Sequence, residues 1–230
     1  MLIRVDLAVA LFDLLTLFLV TQTKAQNIPL FLLFRLQFFF ITLLDLSPIA
    51  VTLTTLLLTQ SSFFALGNSN AISSISLSNS YNGVSGYNIF AVGALLFASN
   101  WAGPIYFSSA GVLLLGKHGR DQRFVNKEEL DQRDWIVAER EHLMKFAEKE
   151  SEGRERRKGS DAWKQHLALL TLGVSGGLVA TMAACTVLRE HLFVWTVFSP
   201  KFLFAGAWGT FFHWGVSLGW GSVLWAAGKL

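Results

Sequence analysis

Long apolar runs separated by polar breaks dominate the chain, and each run can be measured against a bilayer. A helix rises about 1.5 Å per residue, so a hydrocarbon core roughly 30 Å thick takes about 20 mostly apolar residues. Residues 5–20, 28–44, 48–66, 89–115, 166–188 and 204–227 meet or approach that length. They predict about six spans, the first two being the shortest. Two interruptions differ from each other in kind. Residues 67–88, GNSNAISSISLSNSYNGVSGYN, hold seven serines and five asparagines with no charged side chain, whereas residues 117–164 hold 13 basic and 12 acidic side chains.

The pattern divides the chain into three spans over residues 1–66, a polar uncharged loop over 67–88, a span over 89–115, a charged loop over 116–165 and the C-terminal spans over 166–230. The fold class it predicts is all-α: a polytopic membrane helix bundle of about six spans with one charged cytosolic loop. Within that loop Leu130, Val137 and Met144 recur every seven residues beside Ile136 and Leu143. This spacing predicts an amphipathic helix from about Glu128 to Lys149, and GRERRKGSD after it reads as a flexible return.

Composition reinforces the membrane reading. Of 230 residues 52% are hydrophobic and only 15% charged, against about 25% charged in an ordinary soluble domain. The near-cancelling charges of the 117–164 segment do not make a nucleic-acid surface. Asp6 and Asp13 interrupt the first run and no small-residue cleavage site follows it, so it does not fit a signal peptide. Cys185 is the single cysteine, which excludes an intrachain disulfide, and no Asn-x-Ser/Thr sequon occurs. With the basic-rich loop inside, six alternating spans put 15 Lys and Arg on the cytosolic side and three outside. The positive-inside rule therefore predicts that residues 67–88 face the lumenal or extracellular side.

Candidate chemistry lies in three places. Gly173, Gly177, Thr181 and Cys185 recur every four residues, and Gly215 and Gly219 repeat the device; such stripes let a neighbouring backbone approach closely and predict intramolecular packing seams. Asp6, Asp13 and Arg35 fall within predicted spans, where an ion costs at least about 2.5 kcal/mol and needs a partner; Asp13 with Arg35 is the expected pair. It reads either as a structural bridge or as part of a substrate or proton path. His213 and the Arg189-Glu190-His191 cluster are open to the same two readings, and no set of ligands suggests a metal site. Third, the 67–88 loop offers uncharged donors and acceptors. Asn68, Asn70, Asn79, Tyr81 and Asn82 are its candidate substrate-binding residues, suited to a sugar or phosphate headgroup; the alternative is an ordinary interfacial loop.

Three strings carry a resemblance: FFALGNSNAISSISLSNSYNGVSGYN, GALLFASNWAGPI and ACTVLREHLFVWTVFSPKFLF. From about Gln26 to the C-terminus the chain resembles the C-terminal membrane region of the fungal-type GPI ethanolamine phosphate transferases of type 2. The resemblance implies an endoplasmic reticulum membrane protein of GPI-anchor synthesis, moving ethanolamine phosphate from phosphatidylethanolamine to the second mannose of the precursor. It further implies that catalysis belongs to a lumenal domain with a threonine nucleophile and divalent metals, N-terminal to the matched region. No catalytic residue and no cofactor is then expected in this chain, which would be a truncated gene model or a separately encoded membrane half. The implied partners are membrane lipids, the GPI precursor, that catalytic domain and a small membrane subunit, with no nucleic acid. A non-enzymatic transporter or scaffold subunit is the alternative from another class.

Overall fold

The computed structural model describes residues 2–68, 75–78, 80–81, 84, 86–133, 141–190, 206 and 215–226. Among them are seven α-helices and no strand: α1 (Leu2–Gln22), α2 (Ile28–Leu43), α3 (Pro48–Ala65), α4 (Ile89–Asn100), α5 (Ala102–Arg133), α6 (Glu141–Val187) and α7 (Ser217–Ala226). The chain is therefore all-α. Three helices are long and apolar enough to cross a membrane, Ala25–Leu43, Pro48–Ala65 and Asp161–Val187, and the bent pair α4 and α5 makes a fourth if counted as one span.

Local chemistry sets the helix ends. Pro48 occupies the first turn of α3, where its missing N–H costs nothing, and the Ser47 hydroxyl accepts from the Ala50 N–H. At the other end Gly67 takes a left-handed φ of 85° and its N–H donates to the Phe64 carbonyl, closing the last turn. Asn88 caps α4, its Oδ1 accepting from the Phe90 and Ala91 N–H groups.

The centre of the bundle is the first half of α5. Its residues from Ala102 to Val112 are buried, and α3 lies along it in antiparallel register. A Cβ on Gly103 would stand 2.8 Å from the Ser62 side chain, and one on Gly111 would stand 2.6 Å from Thr55 Oγ1. These glycines let the two backbones approach to where hydroxyl side chains fill the gap. Thr52, Thr55, Thr59 and Ser62 form a buried stripe on α3. Thr52, Thr59 and Ser62 give their protons to carbonyls of their own helix, so these three hydroxyls are satisfied locally. Around Tyr106 an aromatic cluster joins α1, α2 and α5, with Phe12 at 5.0 Å, Phe31 at 6.2 Å and Phe34 at 6.1 Å between ring centroids. The outer faces are apolar: Leu32 is 71% exposed, Leu57 70% and Leu172 68%. Water would not tolerate such a surface, and lipid requires it.

Several sequence expectations change. Residues 89–115 are not one straight helix but two that meet at Asn100 and Trp101 with a 78° bend. GRERRKGSD is not a flexible return; it is helical, inside α6. Its three arginines, one glutamate and one lysine are good helix formers and no proline interrupts it, so the helix outlasts its apolar half. The Glu128–Lys149 helix is divided between the end of α5 and the start of α6, with residues 134–140 outside the described residues. The small-residue stripe of α6 is used unevenly, with Cys185 buried and its glycines differing. Gly173 meets Leu56, whose Cδ2 would be 2.6 Å from an added Cβ, whereas Gly177 and Gly219 have nothing within 4 Å among the described residues.

Candidate functional site

The polar loop is anchored where α4 and α5 meet. Asn100 ends α4 and is buried, so its amide must be satisfied by protein. Its Oδ1 accepts from the Ser76 N–H at 2.9 Å, and its Nδ2 donates to the Ser76 carbonyl at 3.0 Å and the Leu96 carbonyl at 2.9 Å. Its own backbone carbonyl accepts from Asn68 Nδ2 at 2.7 Å. Both ends of residues 69–74 are thereby tied to one residue at the bend. Next to it Trp101 stacks on Phe97 and leans on Phe63, at 5.3 and 6.0 Å between centroids.

The predicted headgroup residues fare differently. Asn68 is half-buried with one amide group committed to Asn100, so part of its chemistry is structural. Tyr81 is exposed. Asn70, Asn79 and Asn82 lie outside the described residues. Asn100 and Asn88 were missed as positioning residues. A single asparagine in an otherwise apolar run, with Pro104 four positions later, is the signal that marks Asn100: a buried amide needs partners, and proline belongs to a new first turn.

A second polar cluster joins α1 to α2 and is partly exposed. Asp13 on α1 and Arg35 on α2 pair at 2.7 Å, with side chains 49% and 43% exposed. The guanidinium also stands 5.6 Å from the Phe12 ring and 5.7 Å from the Phe38 ring. The buried Tyr106 hydroxyl lies beside the same guanidinium. The pairing of Asp13 with Arg35 is as the sequence suggests. The Asp6 side chain, His191 and His213 lie outside the description.

A third polar contact joins α3 to α6. Thr52 Oγ1 and His166 Nδ1 are 2.8 Å apart, both buried, and Trp163 stacks on the imidazole at 5.4 Å. Thr52 also reaches the Pro48 carbonyl at 2.8 Å. A hydroxyl has one proton; with it given to Pro48, the oxygen accepts from His166 Nδ1–H. Among the described residues no three His, Cys, Asp or Glu side chains converge into a metal-binding group. Around Asn100 the described polar groups are uncharged: side-chain amides and backbone N–H and carbonyl groups.

Fold and site together define a polytopic helical membrane domain with an uncharged polar loop clamped at one end. The family model described as the GPI ethanolamine phosphate transferase membrane region matches residues 3–230, and the chain belongs to that family. It is similar to GPI ethanolamine phosphate transferase 2 of Aspergillus oryzae, 39% identical over 201 residues, which take in 87% of this chain and 19% of the relative. The protein of that name from Aspergillus fumigatus is 41% identical over 196 residues, 85% of this chain and 20% of the relative. That from Saccharomyces cerevisiae is 30% identical over 222 residues, 90% and 22%. The chain thus spans about a fifth of the length of these relatives. No solved structure gives a significant match.

Proposed function

We propose that the chain serves as the membrane-embedded portion of an ethanolamine phosphate transferase of the endoplasmic reticulum. The reaction would move ethanolamine phosphate from phosphatidylethanolamine to the second mannose of the GPI precursor. In this reading phosphoryl transfer, with its divalent metals, belongs to a separate lumenal domain; this chain anchors that domain and shapes the path of its lipid substrates. The observation supporting the reading is the coverage: the match takes in residues 3–230 of this chain but only about a fifth of each relative bearing the transferase name. The clamped 67–88 loop then faces the catalytic domain. Tyr81, Asn70, Asn79 and Asn82 supply uncharged contacts to a glycolipid headgroup, with Asn68 holding the loop in place. A neutral surface suits a headgroup that must be released, since a fixed Lys or Arg grips phosphate more tightly. About six spans, with residues 116–165 cytosolic, complete the proposed topology.

The test is a chimera. Residues 3–230 replace the matched region of the Aspergillus fumigatus relative, in cells lacking their own enzyme, and ethanolamine phosphate transfer to the GPI precursor is measured. Restored transfer is expected; a chimera of normal abundance that transfers nothing overturns the reading. The purified chain alone is expected to transfer none.

A further inference from the structure

We propose that α4 is not a membrane-crossing segment but an in-plane helix, bedded in the lipid leaflet on the side of the bundle where α3 ends at Ala65. The inference rests on the membrane character of the fold and is independent of the proposed activity.

Register gives the first argument. Gly111 lies against Thr55 in the middle of α3, and Gly103 lies against Ser62 in its last turn. Each step back along α5 therefore climbs toward the Ala65 end, and Asn100 is level with the residues just past it, where it accepts from Asn68. Because α3 is one of the membrane-length helices, α4 begins its course from α5 already at the membrane boundary.

Direction gives the second. Twelve residues make a helix about 18 Å long, and the 78° bend between α4 and α5 leaves it a rise of only about 4 Å along the α5 axis. Such a helix runs beside the surface. It cannot dip through a core roughly 30 Å thick.

Surface chemistry identifies the occupant. Residues 46–116 carry no charge at all, so α4 has no face suited to lie in bulk water. Phe90 is 85% exposed, Tyr87 76% and Ile89 65%, and Leu77 and Tyr81 of the preceding loop are exposed as well. Tyrosines beside aliphatic and phenylalanine side chains fit the boundary between headgroups and acyl chains. The backbone is prepared for that medium. Asn88 satisfies two N–H groups at the start of α4, and at its end the Trp101 N–H donates to Phe97 and the Ile105 N–H to Trp101. Its exposed side chains are apolar like those on the outer faces of the spans, so the partner is the leaflet itself. This seat also holds the clamped loop at the height of lipid headgroups.

Depth measurement by spin labelling tests this on the full chain, with Cys185→Ala, reconstituted in phosphatidylcholine vesicles. Single cysteines at Ile89, Gly93 and Leu96 lie on one face of α4, and Gly93 has open space for a label among the described residues. Cysteines at Ile49, Leu57 and Phe64, exposed along α3, serve as a ruler spanning about 22 Å. Oxygen and a nickel chelate report depth. The three α4 labels should lie within about 2 Å of one another in depth and close to Phe64, shielded from bulk water. A steady change of about 10 Å from Ile89 to Leu96 would mean a crossing helix, and labels as open to the chelate as a water-exposed site would mean no lipid contact. Either result overturns the proposal.

Discussion

The side-chain amide of Asn68 donates to the backbone carbonyl of Asn100 at 2.7 Å, while the Asn100 amide grips Ser76 through both its oxygen and its nitrogen. Two residues far apart in sequence thus close one knot, in which the end of α3, the loop and the α4–α5 bend hold one another. Asn100→Leu keeps the size but removes every side-chain bond, leaving the Ser76 N–H and carbonyl unpaired. Each such loss costs about 1–3 kcal/mol. The expected result is a clear drop in thermal stability in detergent, larger than for Asn68→Ala, which removes a single bond worth about 0.5–1.5 kcal/mol. If Asn68→Ala instead left abundance and melting unchanged while lowering transfer in the full-length enzyme, Asn68 would belong with the headgroup contacts and not with the clamp.

Tyr81 separates the binding role of the loop from its structural role. It is exposed and outside the knot, so Tyr81→Phe removes a hydroxyl with no cost to packing. In a full-length transferase carrying this region, one lost hydrogen bond at the transition state lowers turnover roughly two- to twelvefold. Abundance should stay normal. Unchanged transfer per molecule would remove Tyr81 from the proposed headgroup surface.

The seam between α3 and α5 makes a steric prediction. An added methyl at Gly111 would fall 2.6 Å from Thr55 Oγ1 and 2.7 Å from its Cγ2. Gly111→Ala is therefore expected to destabilise by about 1–3 kcal/mol through overpacking. Thr55→Ala empties the same space, and the double variant should recover much of the loss. Melting of the four proteins of this cycle gives the coupling directly. Simple additivity would mean the two residues do not meet.

How far the sequence reveals this architecture depends on what hydropathy measures. Run lengths report solvent preference, and they locate α2 and α3 well: residues 28–44 and 48–66 are expected, and Ile28–Leu43 and Pro48–Ala65 are found. Direction is invisible to a run length. Residues 89–115 read as one span because Asn100 is outweighed by its apolar neighbours, yet that amide and Pro104 mark where the chain turns. The α3 stripe was passed over for a related reason: threonine and serine are weakly polar, and only the facing Gly103 and Gly111 show that they are interior. The Gly173 to Cys185 stripe shows the limit in the opposite sense. A row of small residues permits close packing, but which positions are taken up is decided by the whole bundle: Leu56 meets Gly173 and Cys185 is buried, while Gly177 has nothing within 4 Å among the described residues. Asp13 and Arg35 were legible because ions in an apolar run demand each other.

That ion pair yields a charge-balance prediction. Arg35→Gln leaves Asp13 without its counter-ion among apolar helices, and an unpaired ion at membrane depth costs at least about 2.5 kcal/mol. The double variant Asp13→Asn with Arg35→Gln removes both charges and lets the amides bond. It should fold better than either single variant, judged by abundance in membranes and melting in detergent. If both single variants match the wild type, the pair contributes nothing to the bundle.

Sidedness completes the set. Antiparallel α3 and α5 put residues 67–88 at one end of the bundle, while Thr52 against His166 and Leu56 against Gly173 run α6 parallel to α3, with Lys164 at the Pro48 end. Ser78 and Lys164 should therefore lie on opposite sides of the membrane, and both are exposed. In a Cys185→Ala background, Ser78→Cys and Lys164→Cys are challenged with a membrane-impermeant maleimide in sealed microsomes, before and after permeabilisation. The basic-rich side is expected to be cytosolic, so Lys164→Cys should react at once and Ser78→Cys only after permeabilisation. The reverse order would keep the fold and invert its orientation, placing the loop away from a lumenal catalytic domain. Equal reaction of both in sealed microsomes would contradict the helix register itself, because one α3 length of about 27 Å separates the two ends.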